Sequence, residues 1–208
     1  MSGPTGFQAE ITRLFFSLPA SDGFLLAGGA ALLAAQLTTR PTDDLDFFGK
    51  RDSVDIPAVR DQFEWAIRER GWNVVRIQDG PTFVRLHITG NEELLVDIAI
   101  DSPPARPPVV SVLGPTFDPE ELAGRKLAAL FGRAEARDFA DVYVLARRFG
   151  RALLLERAAQ VDLGFDLNVL ADMMRTLGRF TDDEVPIEAA DVAQLRRFFA
   201  DWADELDR

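Results

Sequence analysis

Residues 24–32 read FLLAGGAAL and residues 40–48 read RPTDDLDFF, and these two segments decide the fold. The first is a short apolar strand that leads into Gly28 and Gly29 and then into a helix rich in alanine and leucine. Two glycines at a strand-to-helix junction let backbone N–H groups approach a phosphate closely. A tight turn required only by packing explains the same pair, so both interpretations stay open at this point.

The second segment places two carboxylates on a predicted strand. Asp44 and Asp46 are two positions apart, so they share one face of that strand, with Leu45 and Phe47 on the other. Carboxylates roughly 7 Å apart along a strand can share magnesium ions, which prefer carboxylate, water and phosphate oxygens. The alternative is a solvated turn, because Thr-Asp-Asp is typical of turns.

A third carboxylate, Asp97, interrupts the apolar run LLVDIAI at residues 94–100. An unpaired carboxylate buried in such a strand costs several kcal/mol, so it needs a cation, a hydrogen-bond network or the mouth of a cleft. Asp97 is therefore a candidate third metal ligand. The alternative is an acidic residue on the exposed face of an antiparallel strand.

Hydrophobic periodicity predicts the secondary structure of the chain. The expected strands are 24–27, 45–48, 73–78, 82–89 and 94–101, with a possible edge strand at 109–113, and the expected helices are 7–18, 30–37, 56–70, 120–131, 136–149, 151–160, 168–177 and 189–206. Asp118 before Pro119 is typical of a helix start. We expect an α+β fold, with a mixed sheet and flanking helices over residues 1–115 and a C-terminal helical region over 116–208.

Composition excludes several classes of protein. The 208 residues carry a net charge of −11 and contain no cysteine, which excludes a disulfide scaffold and a thiol nucleophile. We expect no membrane-spanning segment and no signal peptide, and therefore a cytoplasmic protein. The charge argues against a long nucleic-acid groove, although residues 121–160 carry 8 basic and 5 acidic side chains and so form a basic island.

That island contains Lys126, one of the 2 lysines among 23 basic residues. Leu122 and Leu130 lie one helical turn on either side, so Lys126 falls within the apolar arc of its helix. An inward lysine is tolerated when its ammonium reaches an anionic site such as a nucleotide phosphate. The alternative is a lysine at the rim of the core, paired to Asp138 or to Asp141.

Taken together, the strand, the two glycines, the Asp-x-Asp strand and the later Asp97 resemble the nucleotidyltransferase superfamily, whose fold is that of the polymerase-β palm. The combination of GGxAL, RPTDDLDF, Lys126 on a helix and Arg-Asp-x-x-Asp at 137–141 is similar to the AbiEii-type family, which includes the Men-type toxins of toxin–antitoxin pairs. Ala30 departs from the pattern, since many relatives have Ser or Thr there.

The resemblance implies a magnesium-dependent enzyme that moves a nucleoside monophosphate from an NTP to the 3′ acceptor end of a tRNA and blocks translation. It also implies a cognate antitoxin protein as partner, and in some members the hydroxyl at the position of Thr42 is phosphorylated. The implied catalytic residues are Asp44, Asp46, Lys126, Asp138 and Asp141, the implied nucleotide-binding residues are Gly28, Gly29, Arg40, Thr42 and Lys126, and the implied metal ligands are Asp44, Asp46 and Asp97. The helical region would complete the active site.

Two other functions remain open. The same chemistry could serve a small-molecule or protein acceptor, and the acidic chain would attract a cationic one. A binding module without turnover is the third possibility, and the intact set of three Asp residues and Lys126 argues against it.

Overall fold

The computed structural model describes residues 3–208, and the chain divides into two compact units, Met1–Asp118 and Pro119–Arg208. In the first unit the helices are α1 (Gly6–Phe16), α2 (Gly28–Ala34) and α3 (Ile56–Glu69), and the strands are β1 (Phe24–Ala27), β2 (Asp44–Lys50), β3 (Asn73–Asp79), β4 (Phe83–Thr89), β5 (Glu93–Asp101), β6 (Val109–Ser111) and β7 (Gly114–Thr116). The expected α+β class is confirmed.

The strands form one mixed sheet in the order β3-β4-β5-β2-β1-β7-β6. β2 is parallel to β5 and β1 is parallel to β7, while the other neighbours are antiparallel. In the centre of the sheet Asp46 pairs with Asp97 on β5 and with Ala27 on β1. The register therefore brings the end of β1 and two predicted carboxylates to one place.

The alternation along β2 gives the sheet one apolar and one polar face. Leu45 and Phe47 are fully buried, and Phe47 stacks on Phe15 of α1 with ring centroids 3.8 Å apart. Burying side chains of this size contributes roughly 1.5–3 kcal/mol each. A slip of one residue in β2 would expose this pair, so packing on one face holds Asp44 and Asp46 on the other.

The second unit is helical. It consists of α4 (Pro119–Arg133), α5 (Ala136–Phe149), α6 (Arg151–Val161), α7 (Leu167–Arg175) and α8 (Ala189–Leu206). α4 and α6 approach closely at Gly124, where a Cβ would lie 2.3 Å from the Cβ of Arg157. Phe139 of α5 meets Phe199 of α8 edge to face, with centroids 5.0 Å apart.

Several predicted boundaries were wrong. The edge strand predicted at 109–113 is β6, and β7 follows it after a turn; β7 was missed because Gly114 and Pro115 are unfavourable in strands. α2 begins at Gly28 rather than at residue 30, and α7 ends at Arg175, followed by a 3₁₀ turn. Within residues 3–208, no helix is both long enough and apolar enough to cross a membrane.

Candidate active site

The junction of β1 and α2 lies directly against a carboxylate of β2. Gly28 has φ +62°, a conformation that residues with a Cβ rarely adopt. A Cβ at Gly28 would also lie 1.7 Å from Oδ2 of Asp46. Glycine is therefore required here both by its backbone angle and by the space that the Asp46 carboxylate occupies.

The second glycine lies against Thr42. A Cβ at Gly29 would meet the Thr42 hydroxyl at 2.7 Å and Nη2 of Arg40 at 3.4 Å. The Thr42 hydroxyl donates to Oδ1 of Asp44 at 2.5 Å. Within the first unit, the structure thus brings together the six predicted residues of the glycine and Asp-x-Asp segments: Gly28, Gly29, Arg40, Thr42, Asp44 and Asp46.

A side chain of α1 holds the same segment. Nε2 of Gln8 donates to the Thr42 carbonyl at 2.6 Å, and Oε1 of Gln8 accepts from the backbone N–H of Thr5 in the capping box of α1. Both Thr42 and Gln8 are buried. The Gln8 amide therefore caps the N-terminus of α1 and also fixes the backbone of Thr42, two residues before Asp44.

Asp97 has a cationic partner that the sequence analysis did not assign. Nε and Nη2 of Arg85 on β4 donate to the two Asp97 oxygens at 2.7 and 2.6 Å, a bidentate ion pair. The Arg85 side chain is 42% exposed. The pKa of Arg85 is raised, first by the hydrogen bond to Asp97 and then by the charges of Asp97, Asp46 and Asp44.

The donors of this cluster fit a divalent cation in part. Asp44 and Asp46 are partly exposed carboxylates on one face of β2, which are the hard oxygen ligands that Mg²⁺ prefers. Asp97 can join them only through the lone-pair sites that Arg85 leaves, or after that ion pair opens. Within residues 3–208, no three Asp, Glu, His or Cys side chains are arranged as a ready metal cluster. The pair that fits magnesium is therefore Asp44 and Asp46.

Lys126 lies in the second unit with both predicted acids. Its Nζ is 3.3 Å from Oδ1 of Asp138 and 3.1 Å from Oδ2 of Asp141. Lys126 is 7% exposed, Asp138 0% and Asp141 1%. Lys126 is buried, as its place in the apolar arc predicts, and it has the pairing given as the alternative, here with both Asp138 and Asp141.

Asp138 accepts further hydrogen bonds. Arg133 donates to it from Nε at 3.0 Å and from Nη2 at 3.2 Å, and the backbone N–H of Glu135 donates at 3.3 Å. Burial alone would raise the pKa of Asp138, but the hydrogen bond from Arg133 and the charges of Lys126 and Arg133 outweigh it and lower that pKa. Asp138 is therefore held as a carboxylate.

Sequence reasoning missed two residues of these clusters, Arg85 and Arg133. For Arg85 a signal existed: Arg85 and Asp97 are equally far in sequence from Asn91, which lies between the predicted strands 82–89 and 94–101, so an antiparallel hairpin register pairs them. For Arg133 spacing gives no such signal. Its position depends on the turn between α4 and α5, where Ala134 adopts φ +49°.

Comparison with known proteins identifies the fold. The structure resembles MenT4, a nucleotidyltransferase toxin of Mycobacterium tuberculosis H37Rv, with a TM-score of 0.63 and 18% identity over 97% of this chain and 89% of that one. It also resembles JHP933 of Helicobacter pylori, with a TM-score of 0.55 and 18% identity over 99% of this chain and 95% of that one. The curated proteins contain no match.

The family is identified by the sequence itself. Residues 13–208, nearly the whole chain, match the model of the nucleotidyl transferase AbiEii toxin of type IV toxin–antitoxin systems. The expected resemblance is confirmed, and with it the nucleotidyltransferase class of the enzyme. The chain belongs to the AbiEii nucleotidyltransferase toxin family.

Proposed function

We propose that this protein is the toxin of a toxin–antitoxin pair and that it transfers a nucleoside monophosphate from an NTP to the 3′ end of a tRNA, with magnesium, so that translation stops. The observation that carries the proposal is the junction of β1 and α2, where the Asp46 carboxylate lies against Gly28 and Asp44 accepts a hydrogen bond from Thr42. The family membership supports the chemistry. The partners would be a cognate antitoxin and tRNA in the cytoplasm.

In the proposed reaction the terminal hydroxyl oxygen of the acceptor forms a bond to the α-phosphorus of the NTP. The bond from that phosphorus to the bridging oxygen breaks, pyrophosphate leaves with the bonding electron pair, and the hydroxyl gives up its proton to water. Magnesium, when bound, would neutralise the triphosphate and lower the pKa of the attacking hydroxyl. Asp44 and Asp46 would hold it, because they supply adjacent carboxylates on one strand face.

The other residues of the first unit would orient the nucleotide. Gly28 and Gly29 leave backbone without a Cβ beside Asp46 and Thr42, which allows close approach of a phosphate. Arg40, whose guanidinium lies near Gly29, would hold phosphate oxygens with its planar fork. Thr42 would keep the Asp44 carboxylate in one orientation through the hydrogen bond described above.

Lys126 is the member of the second cluster that we assign to the reaction, as the cation for phosphate. Asp138 is a poor general base, because its carboxylate accepts hydrogen bonds from Arg133, Lys126 and the backbone of Glu135 and its pKa is lowered. Asp138 and Asp141 would instead position Lys126.

A second candidate function keeps the chemistry and changes the acceptor to a cationic small molecule or protein. The observation in its favour is the net charge of −11, which attracts cations and repels RNA. The two functions share the cluster around Asp46 and differ in the molecule that receives the nucleotide.

The test is to incubate the protein with magnesium, total tRNA and each of four labelled NTPs in turn. We expect label on RNA with at least one nucleotide, and no label with Asp44→Ala. The matched control is Asp43→Asn, an exposed neighbour that removes one charge and retains activity. Label on an added aminoglycoside or protein instead of RNA would select the second function, and no label with any nucleotide or acceptor would contradict both.

A further inference from the structure

A pocket of about 410 Å³ opens in the helical unit, and the proposed function does not use it. It is lined by Tyr143 and Arg147 near the end of α5, by Arg151 at the start of α6, and by Arg197, Phe198 and Asp201 of α8. Gly150, with φ +86°, turns the chain sharply between α5 and α6. That turn brings Arg147 and Arg151 to the same corner, facing α8.

Two of the three arginines of this pocket have no acidic partner among the described residues. Within the described residues, neither Arg147 nor Arg197 forms an ion pair, and Arg151 is bonded to Glu205 at 2.6 Å. Elsewhere in the same unit arginines are matched to acids, as Arg125 is to Glu121 at 2.9 Å. Arg147 and Arg197, with no acid paired to them within residues 3–208, therefore place positive charge at one opening of a chain whose net charge is −11.

Aromatic rings hold two of these guanidiniums in place. The Arg151 Cζ lies 4.4 Å from the Phe198 ring centroid, and its Nη2 donates to the Phe198 carbonyl at 3.3 Å. The Arg147 Cζ lies 5.4 Å from the Tyr143 centroid, and its Nη1 donates to the Tyr143 hydroxyl at 3.3 Å. Stacked guanidiniums lose less conformational freedom on binding a ligand, and their remaining N–H groups are directed away from the ring.

A phosphate is the group that this arrangement recognises. Planar guanidinium forks bind phosphate oxygens in pairs, and the volume is sufficient for a nucleotide-sized segment. Half-buried Phe198 adds an aromatic surface of the kind that bases contact in single-stranded nucleic acid. We propose that this pocket binds phosphates of the acceptor RNA strand, an inference that rests on the proposed function for its ligand.

The test measures RNA binding and transfer separately. The double variant Arg147→Gln/Arg197→Gln is compared with Arg51→Gln/Arg70→Gln, which removes the same charge from two exposed arginines of the first unit that have no ion pair within residues 3–208. We expect the pocket variant to bind tRNA about tenfold more weakly and the slope of log K against log salt to fall by roughly 1.4, or about 0.7 for each lost phosphate contact. The control variant should keep the wild-type slope.

Kinetics distinguish RNA from free nucleotide. The pocket variant should have a raised KM for RNA and an unchanged KM for NTP. Asp201→Asn removes the acid of the pocket and should tighten RNA binding. This second variant tests the proposal even when the double variant folds poorly. Equal affinity and slope in the pocket and control variants would overturn the inference. A raised KM for NTP alone would overturn it too, because the pocket would then hold free nucleotide. If the wild type binds RNA through this pocket and transfers label to none, the proposed function fails while the site stands.

Discussion

The open cluster of Asp44, Asp46 and Asp97 and the buried cluster of Asp138, Asp141 and Lys126 differ most in their exposure to water. Asp44 and Asp46 are partly exposed, and Asp97, itself 9% exposed, pairs with an arginine whose side chain is 42% exposed. Asp138 and Asp141 are 0% and 1% exposed, and their shared Lys126 is 7% exposed. An ion pair with a solvated partner can open for little free energy, whereas a buried one cannot. The first cluster is therefore suited to exchanging ligands and the second to holding charges in fixed positions.

The largest effect should come from breaking the buried cluster. Asp138→Ala removes the carboxylate that Lys126 and Arg133 share and leaves Lys126 with Asp141. Removing one member of a buried pair costs about 3–5 kcal/mol, and because Asp141 remains we expect a loss at the low end, about 3 kcal/mol. Urea denaturation should show this loss in the free energy of unfolding. Asp183→Asn, an exposed charge of the same unit, should change stability by less than about 0.5 kcal/mol. Equal stabilities would refute the structural role of Asp138.

The open cluster should respond in activity and not in stability. Asp46→Asn removes the charge beside Gly28, and losing one such electrostatic group costs roughly 10²–10³-fold in rate. The transfer assay should show that loss while urea denaturation matches the wild type. Asp43→Asn is the matched control. A variant with full activity would remove Asp46 from the reaction.

Arg85→Gln should change metal binding by a smaller factor. The guanidinium occupies both Asp97 oxygens, so its removal should strengthen Mg²⁺ or Mn²⁺ binding. Since the pair is half solvated, the gain should be up to about fivefold. Calorimetric titration of the metal measures it directly. Unchanged or weaker affinity would show that Asp97 takes no part in holding the ion.

The smallest expected effect is on how steeply the free energy of unfolding falls at acid pH. The pKa of Asp138 is lower in the folded protein than in the unfolded chain, so the stability it contributes is present above about pH 4 and is lost as the pH falls through the folded value. Urea denaturation between about pH 5 and pH 2.5 should show wild-type stability falling with acidity. Asp138→Asn should fall less steeply over that range. Parallel curves would contradict the assignment.

The sequence predicted the open cluster better than the buried one, for a physical reason. Gly28, Gly29, Thr42, Asp44 and Asp46 lie on two short segments whose strand and turn preferences are local, so alternation and spacing place them correctly. Lys126 could be assigned to an apolar arc, but the choice between Asp138 and Asp141 depends on Arg133, which reaches Asp138 across an interhelical turn. The pairing of Arg85 with Asp97 could have been found from the equal spacing of the two residues about Asn91, although strand propensity alone does not give it.

The amide of Gln8 has a practical consequence for anyone trimming this chain. The family match begins at residue 13, yet the hydrogen bond from Gln8 to the Thr42 carbonyl comes from α1, which begins before it. A fragment cut to the matched segment would lose the first turns of α1 and with them the anchor on the backbone next to Asp44. Such a fragment should keep the sheet while the loop ahead of β2 exchanges its amide hydrogens faster, so a family boundary is here a poor guide to where an active piece can begin.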